Sequence, residues 1–165
     1  MTERIQNLVN ALRDELKEYG ELLSLLDRQQ QSVIERDADR VFQSVGFVQR
    51  QGSTIAEARH RREECAREIA RDLCQEPDAG FALLIPLMPA AYRPLVKALV
   101  DENNELLVRV QQRARQNHLL LSRSVELMQG LLDSLLPSRE TRVYNGRGNM
   151  QVHETVPRSF YQGVG

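Results

Sequence analysis

Few residues of this chain have a type and spacing that could do chemistry. Glu57 and His60 form a Glu-x-x-His pair, the spacing that places a carboxylate and an imidazole on one helical face in di-iron bundles. Such a centre needs a second copy of the pair and two further inward glutamates, and neither is evident in the sequence. The arginines around His60 would also repel a cation. The sequence therefore predicts no metal site and no cofactor.

Catalytic nucleophiles and bases form no recognisable group either. His118 and His153 stand alone, and Cys65 and Cys74 do not form a Cys-x-x-Cys pair. The chain also lacks a glycine-rich phosphate loop, a Gly-x-Ser-x-Gly elbow and a His-Glu-x-x-His pair. If both cysteines lie on one helix, they are roughly 13 Å apart, which is too far for a disulfide. We therefore expect a protein that is not an enzyme and has two free thiols.

The charge balance argues against a nucleic-acid partner. The 165 residues include 22 Lys and Arg against 23 Asp and Glu, a net charge of -1, whereas a dedicated nucleic-acid binder needs a basic surplus. Aromatic residues make up 5% of the chain and tryptophan is absent, so there is little material for the wall of a deep catalytic pocket. With only 9 glycines and 6 prolines, the composition favours long helices in one domain.

The sequence predicts no membrane-spanning segment. The longest apolar stretch, 81–92, contains Pro86 and Pro89 and is too short to cross a bilayer. The N-terminal segment carries charges throughout and lacks the apolar core of a secretory signal. We therefore expect a cytoplasmic protein without stable membrane insertion.

Two long segments show the apolar periodicity of coiled-coil helices. The first predicts a helix over 2–34 with apolar residues at alternating steps of four and three. The residues of this seam are Ile5, Val9, Leu12, Leu16, Tyr19, Leu23, Leu26, Gln30 and Val33. A second helix is predicted over 38–74, with Asp37 as its N-cap. Its seam includes Arg59 and Arg62, which are expected either to pair with carboxylates or to lie open to water. We interpret the basic cluster 59–62 as a solvated helix face in preference to a phosphate site.

Two further helices complete the pattern. Prolines limit the segment 79–88 to a short connector helix, whose apolar residues would plug one end of a bundle. A long helix is predicted over 94–136, and its apolar band is wide enough to contact two other helices. Asn103 and Asn117 occupy seam positions of this helix, where buried asparagines fix register and orientation.

These elements predict an all-α fold, an elongated antiparallel helical bundle or coiled coil of three long helices with a short connector helix. The bundle domain is expected over 1–137. Residues 138–165 carry glycines, prolines and scattered polar residues without a sustained period, which predicts a flexible C-terminal tail. The apolar and aromatic residues of this tail are typical of a peptide that docks on a partner, although an idle chain terminus is the alternative.

The order of the elements and two local motifs resemble the FlgN-type flagellar export chaperones. The family has an Asn-x-x-Asn-x-x-Leu-Leu signature. The residues that match its second half are Asn103, Leu106 and Leu107. Val100 stands where the first asparagine of the signature would be, so the signature is only half kept. Beyond the last helix, Tyr144 and Gly148 keep the Tyr-to-Gly spacing of the family's Thr-x-Tyr-x-x-x-Gly-like element.

This resemblance implies a cytoplasmic, non-enzymatic chaperone of flagellar type III export. Members of the family bind the C-terminal helical segments of the hook–filament junction proteins FlgK and FlgL and hold them unpolymerised. They then deliver these clients to the export gate protein FlhA. The family's tail tyrosine takes part in docking at the gate, and by position this residue would be Tyr144, with Val143 and Gly148 beside it.

An amphipathic client helix needs an apolar groove, and the wide band of the last long helix is the candidate. The predicted client-binding residues are Leu120, Leu121, Leu127, Met128, Leu131 and Leu135. The alternative is that the first two helices of the protein itself cover this band, because an amphipathic stripe most often faces its own core.

Other functions stay open on the sequence alone. A structural coiled-coil homo-oligomer or scaffold protein would associate with itself and bind no client. An enzyme or metal bundle would need inward-facing carboxylates, which the predicted seams lack. A chaperone of another secretion system would share the helical pattern, and the tail element with Tyr144 favours the flagellar system. The sequence also leaves open whether the protein is a monomer or a homodimer.

Overall fold

The structure is a computed structural model that describes residues 1–135, 143–144 and 150–151. Its helices are α1 (Thr2–Ile34), α2 (Ala38–Asp72), α3 (Phe81–Leu87) and α4 (Arg93–Leu135), and its strands are β1 (Val143–Tyr144) and β2 (Met150–Gln151). Over residues 1–135 every regular element is a helix, which confirms the all-helical prediction with four helices for this part of the chain. Each helix begins and ends within two residues of its predicted bounds.

The chain divides into two compact units, Met1–Ser122 and Arg123–Gly165. In the first unit α1 and α2 run antiparallel. Near the turn between the two helices, Gln29 donates to Ser44 at 3.1 Å, and further from the turn Arg62 donates to Glu15 at 2.9 Å. Later residues of α2 therefore contact earlier residues of α1, as expected for an antiparallel pair. The Asp37 carboxylate accepts a hydrogen bond from the backbone N–H of residue 40 at 3.0 Å, which confirms the predicted N-cap of α2.

Helix α4 runs parallel to α1 and is registered on it by two buried amides. Asn103 Nδ2 donates to the Leu12 carbonyl at 3.0 Å, and Asn117 Nδ2 donates to the Leu26 carbonyl at 2.7 Å. Donor and acceptor are 91 residues apart in both bonds. The two contacts are therefore equivalent and lie two heptads apart along the helices. They explain how the predicted seam asparagines fix the register of α4 on α1.

Two apolar clusters form the core of the first unit. The larger one joins all four helices. Its buried members are Ile5, Leu8, Val9, Leu12, Ile69, Ala70, Leu84, Met88, Val96 and Leu99. Leu84 of α3 and Met88 just after it are fully buried, so the connector contributes core side chains as predicted. The smaller cluster consists of Tyr19, Leu26, Ile55 and Val110. Along α1, Glu15 lies between the two clusters and is also buried.

In the second unit, β1 and β2 pair antiparallel, with Val143 opposite Gln151 and Tyr144 opposite Met150. The pair falls within the predicted flexible tail, 138–165, and the other residues of that tail lie outside the described part of the chain. Gly148 is one of these tail residues. The side chain of Leu135, at the end of α4, also lies outside the described part of the chain.

Candidate functional site

The last turns of α4 carry a continuous apolar surface that is open to solvent. It consists of Val125, Leu127, Met128, Leu131 and Leu132, which are 55%, 69%, 64%, 62% and 51% exposed. We call this surface the apolar band. At 3.6 residues per turn these five side chains occupy an arc of roughly 160° on one side of the helix. Large apolar side chains grouped in this way on a surface mark an interaction site, whereas scattered ones do not.

Three of the six predicted client-binding residues belong to this band, namely Leu127, Met128 and Leu131. Leu120 and Leu121 lie in the other unit, where Leu120 is 37% exposed and Leu121 is half-buried. The side chain of the sixth residue, at position 135, is outside the described part. The predicted alternative, in which the first two helices cover the groove, stays a prediction; within the unit Arg123–Gly165 the three band residues are exposed.

Two members of the band, Val125 and Leu132, were not among the predicted client-binding residues. Their spacing contained the signal, because Val125, Met128 and Leu132 stand at i, i+3 and i+7 and therefore share one helical face. The sequence does not say which side of such a helix remains uncovered.

The signature residues serve the interior of the bundle and do not contribute to the band. Asn103 is 6% exposed, and its Nδ2 donates to the carbonyls of Leu12 and Leu99 at 3.0 and 2.9 Å. Leu106 and Leu107 are half-buried against the smaller core cluster. In this structure the signature therefore positions α4 on α1.

A partly buried ionic layer adjoins the smaller core cluster: Glu15 is buried, whereas the side chains of Arg62 and Arg59 are 20% and 46% exposed. It consists of Glu15, Tyr19, Arg59 and Arg62. Glu15 is 3% exposed, and it accepts a hydrogen bond from Arg62 Nε at 2.9 Å and one from the Tyr19 hydroxyl at 3.1 Å. Arg59 Nε lies 3.7 Å from Glu15, and its Nη2 donates to the Tyr19 hydroxyl at 2.7 Å. The arginines in the seam of α2 are thus paired with a carboxylate, one of the two predicted arrangements.

The layer also corrects the interpretation of the basic cluster 59–62. The description as a solvated helix face fits His60 and Arg61, which are exposed, and in part Arg59, whose side chain is 46% exposed. It is wrong for Arg62, whose side chain is only 20% exposed because it turns inward to Glu15. Desolvation by burial raises the pKa of the Tyr19 phenol, so this hydroxyl stays protonated and can donate to Glu15.

A comparison with protein-family models bears directly on the function of this chain. The model for the FlgN protein family matches residues 1–151. The chain belongs to the FlgN family. FlgN proteins are flagellar export chaperones, so chaperone activity in flagellum assembly is the role that family membership assigns. The family is not known for enzymatic activity. No curated protein and no solved structure shows significant similarity to this FlgN chain.

Three further structural findings concern membranes, metals and the cysteines. Within the described residues, no helix is long and apolar enough to cross a membrane. The same residues contain no group of three or more His, Cys, Asp or Glu side chains that could hold a metal ion. Cys65 is half-buried, Cys74 is exposed, and both are free thiols.

Proposed function

We propose that this FlgN chain is a cytoplasmic chaperone of the hook–filament junction proteins FlgK and FlgL. Its apolar band binds the C-terminal helical segment of the client and keeps that segment from assembling early. The chaperone then delivers the client to the export gate protein FlhA. Membership of the FlgN family supports the chaperone role. The observation that carries the client site is the exposure of five large apolar side chains on one face of α4.

The physical basis is the burial of apolar surface on both partners. An amphipathic helix docks by laying its apolar face on a complementary apolar surface, and each fully buried leucine contributes about 1.5–3 kcal/mol. A client segment on the apolar band would cover side chains such as Leu127 and Leu131, which are 69% and 62% exposed without it. Covering the client's own apolar face in the same contact prevents that face from associating with other subunits.

A charge placed in the middle of the apolar band is expected to weaken client binding. Leu127→Asp and Leu131→Asp should each raise the dissociation constant for a C-terminal FlgK peptide about tenfold, because a carboxylate must be desolvated in an apolar contact. Isothermal titration calorimetry measures this constant and the stoichiometry, which is expected to be one to one.

The matched control for these variants is Leu83→Asp. Leu83 is 61% exposed on α3 and lies outside the band, so the same substitution there should leave the affinity unchanged. Unchanged binding by both band variants would exclude the band as the client site. An equal loss in all three variants would point to a general effect of added charge.

Delivery to the gate is assigned to the tail, with Tyr144 as the docking residue and Val143 and Gly148 beside it. Tyr144→Ala is expected to leave the affinity for the FlgK peptide unchanged and to reduce complex formation with the cytoplasmic part of FlhA, measured by pull-down of the chaperone–client complex. Tyr161→Ala, a tyrosine of the same tail, is the control. Loss of client affinity in the Tyr144 variant would instead assign Tyr144 to client binding.

The second candidate function is that of a structural coiled-coil homo-oligomer. It is favoured by exposed apolar side chains near the start of α2, where Phe42 and Val45 share one face and are 82% and 47% exposed. Sedimentation equilibrium distinguishes the two functions. A tight oligomer that takes up no client peptide would support the structural role, whereas a species that binds one peptide per chain would support the chaperone.

A further inference from the structure

A second interaction surface is indicated by the charge distribution along α4. Residues 106–122 contain three arginines and one histidine but no aspartate or glutamate, although the whole chain has a net charge of -1. Arg113 is occupied, since it pairs with Asp27 at 2.9 Å and bonds to Gln30. Arg109 and Arg115 are exposed and take part in no ion pair within the described residues.

Arg109 lies at a polar cleft between α1 and α4. The cleft has a volume of about 180 Å³, and α4 lines it with Arg109, Gln112, Arg113 and Gln116, while α1 contributes Leu23 and Asp27. Its charged groups are two arginines and one aspartate, so the cleft keeps one positive charge after Asp27 and Arg113 have paired. An unpaired guanidinium with amide side chains beside it is suited to a carboxylate, which it can bind through two parallel hydrogen bonds.

Exposed apolar residues lie next to this cleft on the same helix. Val108 and Leu119 are 61% and 67% exposed. Together with Gln112 and Arg115 they line one face of the helix. In chain order the four residues occupy positions i, i+4, i+7 and i+11. Between Val108 and Leu119 this face carries Arg115 and no acidic residue, and Glu105, four residues before Arg109, forms no ion pair with it within the described residues.

We propose that this surface, defined by Val108, Arg109, Gln112, Arg115 and Leu119, docks an acidic amphipathic helix of a partner protein. A carboxylate of the partner enters the cleft and pairs with Arg109, and apolar residues of the partner pack on Val108 and Leu119. The charge complementarity favours an acidic partner. A nucleic acid is disfavoured because it offers phosphates but no apolar face for Val108 and Leu119. This surface lies in the unit Met1–Ser122 and shares no residue with the client site proposed on the apolar band.

The test uses the full-length protein and a fluorescein-labelled helical peptide, with a leucine stripe flanked by glutamates, as the probe. Fluorescence anisotropy should give saturable binding that weakens with added salt, because exposed charges are screened. The same peptide with glutamine in place of glutamate should bind about tenfold more weakly. Arg109→Gln and Leu119→Asp should each cause a loss of similar size.

Two controls separate this surface from a general charge effect and from the client site. Arg61→Gln removes an exposed arginine of α2 and should leave binding of the acidic peptide unchanged. Leu131→Asp, in the apolar band, should also leave it unchanged, and Arg109→Gln should bind the FlgK peptide normally.

The proposal is overturned if the glutamine peptide binds as well as the acidic one, if Arg109→Gln has no effect, or if Leu131→Asp abolishes binding of the acidic probe. Tighter, salt-dependent binding of a single-stranded oligonucleotide, lost in Arg109→Gln, would assign the surface to nucleic acid instead. If the acidic peptide binds as expected but the FlgK peptide does not bind, the proposed function is contradicted and the docking surface for the acidic helix is still supported.

Discussion

Glu15→Ala is expected to lower the free energy of unfolding by about 3 kcal/mol, because it removes the carboxylate that balances two arginines in the bundle. Glu15 is 3% exposed and accepts hydrogen bonds from Arg62 and Tyr19 at 2.9 and 3.1 Å. Without it, the Arg62 side chain, only 20% exposed, keeps its charge but loses its main partner. Glu63, whose carboxylate lies 3.5 Å from Arg62, compensates in part, which places the expected loss at the lower end for a broken buried pair.

Urea unfolding followed by circular dichroism measures this loss. The control is Glu63→Ala, since that side chain is 41% exposed and exposed ion pairs contribute less than about 1 kcal/mol. The double variant Glu15→Leu, Arg62→Leu should be more stable than Glu15→Ala, because no unpaired charge remains in the layer. A loss for Glu15→Ala no larger than that of the control would mean that the layer contributes nothing to stability.

Leu84→Ala is expected to lower the free energy of unfolding by about 3 kcal/mol and to release α3 from the core. Leu84 is fully buried, whereas its neighbour Leu83 is 61% exposed, so Leu83→Ala is a control of identical chemistry on the same helix. Helix α3 has seven residues, includes Pro86 and has no side-chain cap, so it depends on packing and would be marginal alone.

Hydrogen exchange distinguishes the local from the global consequence of Leu84→Ala. We expect the backbone amides of α3 to exchange much faster in this variant, and those of the central turns of α1 to change less. Leu83→Ala should lose under about 0.5 kcal/mol, as exposed substitutions usually do. Equal losses in the two variants would show that α3 is not held by its buried leucine.

The sequence was sufficient for the helices and the Asp37 cap, because these depend on local periodicity and local hydrogen bonds. It was not sufficient for the inward face of α1. The predicted seam followed Leu12, Leu16 and Tyr19, yet Leu16 is half-buried and Glu15 is buried beside it. A search for apolar spacing passes over a glutamate. Its inward position becomes evident only when Arg62, which is 47 residues away, is placed opposite it.

The candidate site was predictable in part for a similar reason. The amphipathic pattern of α4 predicts an apolar face that includes Leu127, Met128 and Leu131, and these residues are exposed. Which turns of a long amphipathic helix are covered depends on where the other helices end, and this is a property of the tertiary structure. The client role and the role of Tyr144 stay predictions that the binding experiments test.

The two equivalent asparagine contacts between α1 and α4 restrict how the bundle can move. Axial sliding of one helix past the other by a single turn, about 5.4 Å, would separate both amides from their acceptors together. Each buried amide left without an acceptor would cost about 1–3 kcal/mol, and both costs would arise in the same step. Any rearrangement that changes how α4 lies on α1, whether by sliding, rotation or lateral opening, must therefore break both hydrogen bonds or exchange them for other acceptors.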